Sequence, residues 1–208
     1  MKYILISILL LTCTNTYSQE KPSGFDAEKW QPPYTLVAPG NWSIERFPIP
    51  IEFAPSIHYR GVEDLRFAPG WADAKSDEYW TYAFLWFLEG KQTFEGQILE
   101  QHLKAYYSGL VGRNIEPRKI SEEKLIPVNS RVTKTHSSAG DQETYTGTVS
   151  MLDYMEQKPI VLNCVIHVKS CPEKDNTFVF IEISPQPTSH AIWQSLNQIW
   201  TGFDCNSD

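Results

Sequence analysis

The sequence predicts an α+β domain: one antiparallel sheet of six to seven strands with two main helices packed on one face. Three observations predict it. Residues 128–183 hold four runs of strand length whose connections are too short for parallel crossovers, so their pairing is antiparallel. Two further stretches, 94–111 and the chain's last twenty residues, repeat apolar side chains at helical spacing. A length of 208 residues, 41% of them hydrophobic, suits one core rather than several.

Residues 1–18 carry one early cation, Lys2, then an apolar run over 3–11 and a polar close at Thr16, Tyr17 and Ser18, the layout of a secretory signal peptide. The run is shorter than the ~20 residues that span a bilayer, so no transmembrane anchor is expected after cleavage. A secreted or periplasmic location follows. Cys13, just behind the run, offers a lipid anchor as the alternative, with Thr12 standing where a Gly, Ala or Ser is usual. Residues 19–43, broken by Pro22, Pro32, Pro33 and Pro39, read as an extended N-terminal segment, and a single domain follows over 44–208.

The first strand should lie at an edge, because Pro48 and Pro50 interleave with Phe47, Ile49 and Ile51 and each proline removes a ladder donor. The next, 62–67, alternates Leu65 and Phe67 with Asp64 and Arg66, a half-buried strand whose two charges pair at the surface. A turn holding Pro69, Gly70 and Trp71 leads to 79–88, apolar on both faces and therefore expected to be central and covered above and below. Its length also fits a buried helix; its aromatic content and Gly90 behind it favour a strand. Thr93 can cap a helix carrying Leu99, Leu103, Tyr106 and Leu110, with Gly112 as its stop. Strands over 128–136, 142–154, 159–169 and 177–183 form a meander. A last helix, capped by Thr188 or Ser189, presents Ile192, Leu196, Ile199 and Trp200 as one stripe.

Without Cys13 three cysteines remain, which in an oxidising compartment implies one bridge and one free thiol. Cys164 shares parity with Ile160, Leu162, Ile166 and Val168, which points it into the core. Cys171 lies past that strand's end and Cys205 past the last helix, so the expected disulfide is Cys171–Cys205. The rival pairing, Cys164 with Cys171, requires the chain to double back at once.

The closing order of elements, a meander ending in Phe178-Val179-Phe180-Ile181 and then a helix carrying Trp193, Leu196 and Ile199, resembles PsbP-like secreted and lumenal domains over residues 128–203. In outline the chain is also similar to uncharacterised secreted bacterial proteins. The resemblance lies in element order and implies no residue role.

A net charge of −7, with Lys and Arg scattered singly, leaves no footprint for a phosphate backbone and excludes nucleic acid as the expected partner. No P-loop, dinucleotide fingerprint or nucleophile elbow is present. His58, His102, His136, His167 and His190 stand far apart without metal-ligand spacing, so neither a cofactor nor a metal is expected.

What remains is the aromatic density around residues 64–88. Trp71, in a Pro-Gly loop, is the ring most suited to meet a ligand, and Asp73, Tyr79, His58 and Arg66 complete the candidate set. The expected function is non-catalytic binding of a small ligand or protein partner through the 68–80 loop. The alternative is a hydrolase or metal-assisted enzyme using His58, Asp64, Asp73 and Glu78, which requires those groups to converge.

Overall fold

A computed structural model describes residues 25–138, 140–171 and 174–206. The expected signal peptide and Cys13 lie outside the described residues. The alternating runs form one seven-stranded antiparallel sheet in the order β1-β2-β3-β7-β6-β5-β4. Its strands are β1 (Ser43–Ile49), β2 (Gly61–Phe67), β3 (Tyr82–Glu89), β4 (Asn129–Lys134), β5 (Glu143–Asp153), β6 (Lys158–Ser170) and β7 (Asn176–Ser184). Helix α1 (Gly96–Ile115) lies between β3 and β4, and α2 (Ile192–Thr201) follows β7. The proline-rich first strand is an edge, and β7 joins the meander to the first hairpin by pairing with β3, Phe84 opposite Ile181. The α+β class and the single antiparallel sheet are those the sequence predicts.

The two helices, expected on one face, cover opposite faces. The cause is in β3, which carries bulk on both sides and therefore needs two covers. Tyr82, Phe84, Trp86 and Leu88 face α1, where Tyr106 stacks on Phe84 with ring centroids 5.2 Å apart. Ala83 and Leu85 face the other way, with Phe178 and Phe180 of β7, and meet Trp193, Leu196, Ile199 and Trp200 of α2. Each fully buried aliphatic or aromatic side chain contributes roughly 1.5–3 kcal/mol, so neither face could be left open cheaply.

Helix ends also differ from the local signals. Helix α1 starts after Glu95 rather than at Thr93, and no side-chain cap closes its start. It continues through Gly112, which does not adopt the left-handed backbone that a terminating glycine uses. Helix α2 starts after Ala191 instead of at a Thr188 or Ser189 cap, and there His190 Nδ1 accepts the Ile192 N–H at 3.3 Å. Gly109 has a packing role: a Cβ there would fall 1.7 Å from the Phe53 carbonyl oxygen, so its absence lets the loop after β1 press onto α1.

The described part of the N-terminal segment, residues 25–43, packs into the fold. Tyr34 and Leu36 are buried against the α2 face, and Thr35 bridges to Asp204. This corrects the reading of Asp64 and Arg66 as a surface pair. The segment covers them, leaving both at 2% exposure or less. Asp64 accepts the Tyr34 hydroxyl and the Arg46 Nε, each at 3.1 Å, and pairs with Arg66, whose Nη2 also donates to the Leu36 carbonyl at 2.9 Å. Cys171 and Cys205 are joined as expected and tie the C-terminus to the end of β6. Lys174 locks the same corner by donating to the carbonyls of Pro33 and Cys205. Cys164 is buried and free, and burial pushes its thiol up to about 12, which keeps it protonated and inert.

Candidate functional site

Strand parity places the site. In β2 the side chains of Glu63, Leu65 and Phe67 point to the α1 face, while Asp64 and Arg66 point to the other. Register sets Trp86 of β3 on one side of Glu63 and Phe47 of β1 on the other. Over this floor the C-terminal half of α1 supplies Tyr106, Leu110, Arg113 and Asn114, and the 68–80 loop supplies Trp71 and Trp80. Phe53 and Tyr154 close the sides of a cleft of about 240 Å³. It has room for a ligand about the size of one ring.

The loop that forms one wall is held by its own backbone. Consecutive turns bond Trp71 N–H to Ala68 O, Asp73 N–H to Gly70 O, Ser76 N–H to Asp73 O and Tyr79 N–H to Ser76 O, and Trp80 N–H returns to Trp71 O at 2.8 Å. Glu78 folds back and accepts the Gly70 N–H at 2.7 Å. Trp80 has φ +54°, a left-handed backbone that a bulky residue adopts at a cost of roughly 1–3 kcal/mol. The cost is borne where Trp80 is fully buried at the cleft, with an indole N–H that has no acceptor among the described residues. Trp71 is half-buried, its ring 4.6 Å from that of Phe67.

Glu63 gives the floor its chemistry. It is 1% exposed, and burial raises its carboxyl from 4.5 to about 7, against the opposing effect of the Trp86 and Tyr106 donors. Trp86 Nε1 donates to Glu63 Oε1 at 3.2 Å. No Lys, Arg or His nitrogen among the described residues lies within ion-pair distance of Glu63. Asp64, its neighbour in sequence, is matched by two arginines on the other face. One strand therefore buries two carboxylates, one neutralised and one not.

Of the five residues singled out from the sequence, Trp71 alone lines this cleft. Tyr79 is buried beside it and donates its hydroxyl to Asp153 at 2.6 Å, which fastens the loop to the β5–β6 turn. Asp73 is exposed and accepts the Lys75 N–H within its own turn. Arg66 lies on the opposite face, paired with Asp64. His58 lies outside the cleft, before the start of β2, in an open hollow with Tyr59, Arg60, Glu89, Gln92 and His102. His102 is partly buried against Tyr59 and Trp86, and burial, then the nearby His58, lowers its basicity. His58, Asp64, Asp73 and Glu78 thus do not converge. Among the described residues no three His, Cys, Asp or Glu side chains stand together as a metal ion would require, and no helix is long and apolar enough to cross a membrane.

A second buried polar group lies under α2. His167 Nδ1 meets Asp141 Oδ2 at 2.7 Å, and Nε2 faces Glu182 Oε1 at 3.6 Å. Asp141 also accepts Trp200 Nε1 at 2.9 Å and Thr144 Oγ1 at 2.6 Å. Burial alone would lower the basicity of His167; its bonds to the two carboxylates outweigh that and raise it. These three residues come from β7, β6 and the loop before β5, and no spacing announces them.

Glu63 had a signal, since its odd position in β2 puts it on the same face as Leu65 and Phe67, where a carboxylate is out of place. No family model, no curated protein and no solved structure matches this chain.

Proposed function

We propose that this is an exported, non-catalytic binding domain that takes a small, largely apolar ligand between the 68–80 loop and the C-terminal half of α1. The observation that carries the reading is Glu63: a carboxylate without a counter-charge at the base of a ring-lined cleft. Pockets of this kind, apolar walls around a few convergent polar groups, are where small molecules bind. A left-handed Trp80 in the wall supports it, because backbone strain of this kind collects at functional sites. Export is supported by the leader-like residues 1–18 and by the Cys171–Cys205 bridge, which persists in oxidising compartments.

The test is a fluorescence titration of single-ring molecules into the wild-type domain and Trp71→Ala. Trp71 is half-buried at the cleft wall, so its removal weakens binding about tenfold or more while the domain stays folded. A Trp71→Ala protein that binds as well as wild type sinks the proposal. A Trp71→Ala protein that no longer folds places the ring in the core instead.

A further inference from the structure

The charges around the cleft point to a narrower ligand class, an inference that rests on the binding reading above. Glu63, buried, and Glu45, exposed, both line the cavity, and Arg113 is the one cation among the described residues that line it. Arg113 is exposed at the rim, with its guanidinium over the Phe53 ring at 5.3 Å. The one charge that the buried floor can carry is therefore negative, and the positive charge lies outside it. Around Glu63 stand Trp86 and Tyr82 from β3, Tyr106 and Tyr107 from α1 and Phe47 from β1, with Tyr154 of the β5–β6 turn lining the same cleft and His102 of α1 packed on the Trp86 ring. The phenols among them are neutral at every physiological pH, since burial raises their ionisation well beyond that range. Aromatic faces attract cations, and a carboxylate among them supplies the counter-charge.

We propose that the cleft recognises a small organic cation, a protonated amine on an apolar body about one ring in size, with Glu63 meeting the ammonium and Phe67, Trp71, Tyr82 and Tyr106 enclosing the body. An ammonium supplies to Glu63 what Arg46 and Arg66 supply to Asp64. Binding ionises Glu63, so below pH 7 it releases a proton from the carboxyl to solvent.

The test is a calorimetric titration of 2-phenylethylamine, 2-phenylethanol and 3-phenylpropionate into the wild-type domain and Glu63→Gln, at pH 8 and pH 5.5, either side of the carboxyl value near 7. The amine should bind wild type best, and its affinity should fall about 30-fold at the lower pH as the carboxylate is protonated. Glu63→Gln should bind amine and alcohol equally, with no pH dependence. Equal binding of amine and alcohol by wild type at both pH values overturns the cation while leaving the cleft a ligand site. Tighter binding of the propionate overturns it in favour of Arg113. Failure of all three to bind at millimolar concentration overturns the cation and counts against the binding reading itself. Should Glu63→Gln not fold, wild type decides alone: amine binding at pH 7 in buffers of different ionisation enthalpy must release protons, and zero release rejects the proposal.

Discussion

Replacing Glu63 by Gln should make the domain more stable above pH 7 and leave it nearly unchanged at pH 4.5. The folded protein holds this carboxyl at about 7 because burial opposes its charge, while the unfolded chain returns it to about 4.5. Between those values the unfolded state gives up a proton that the folded state keeps. Stability therefore falls as pH rises through that window and levels off above about 7. The distance from 4.5 to about 7, at about 1.4 kcal/mol per pH unit, is about 3.5 kcal/mol. Glutamine has the same shape, keeps an oxygen for Trp86 Nε1 and has no ionised form to penalise. Urea unfolding of both proteins at half-unit steps from pH 4 to 8.5 measures the difference directly. The gap between them should open from near zero to about 3.5 kcal/mol in favour of Glu63→Gln, equivalent to a melting shift of roughly 7–14 °C for a domain of this size. A gap that stays flat across the range refutes the claim that Glu63 is a buried carboxylate without a charged partner among the described residues.

Three other perturbations test the surrounding frame. Arg66→Met leaves Asp64 buried with one arginine in place of two, and denaturant unfolding should record a loss of about 3 kcal/mol, far beyond the 0–1 kcal/mol of a surface pair. Cys171→Ala with Cys205→Ala opens a loop of 34 residues and should cost about 3–4 kcal/mol by chain entropy, read in the same assay under oxidising conditions. His167 is more basic in the fold than its ordinary 6.5, so its charged form adds stability that is complete below pH 6.5 and disappears as pH rises through the folded value. Wild type should thus hold its largest advantage over His167→Gln at pH 5–6, and an advantage that grows toward pH 8.5 would reverse the assignment.

Which features the chain announced, and which it concealed, follows from how local their causes are. Period-two alternation is local, and it located the strands of the meander, the inward thiol of Cys164 and the bridge between Cys171 and Cys205. The double-sided bulk of β3 was equally local, yet its implication that α1 and α2 must lie on opposite faces is a statement about layers, which helix stripes alone do not carry. Asp64 and Arg66 read as surface charges because the cover over them, Tyr34 and Leu36, comes from a proline-broken segment thirty residues earlier with no element signal of its own. Gly112 has the composition of a helix stop without the conformation of one. The cleft is assembled from β1, β2, β3, α1, two loops and the β5–β6 turn, so its rings were visible as a dense aromatic stretch while its buried charge, Glu63, was visible only through parity.

The seven tryptophans report on both faces of the sheet and offer the most direct test of the site. Trp71, Trp80 and Trp86 belong to the α1 face, with Trp86 bonded to Glu63, while Trp30, Trp42, Trp193 and Trp200 pack on the α2 face. An indole N–H correlation spectrum recorded during titration with a single-ring amine should move the first three signals and leave the other four in place. Shifts confined to Trp30, Trp42, Trp193 or Trp200, or to none of the seven, would contradict the account.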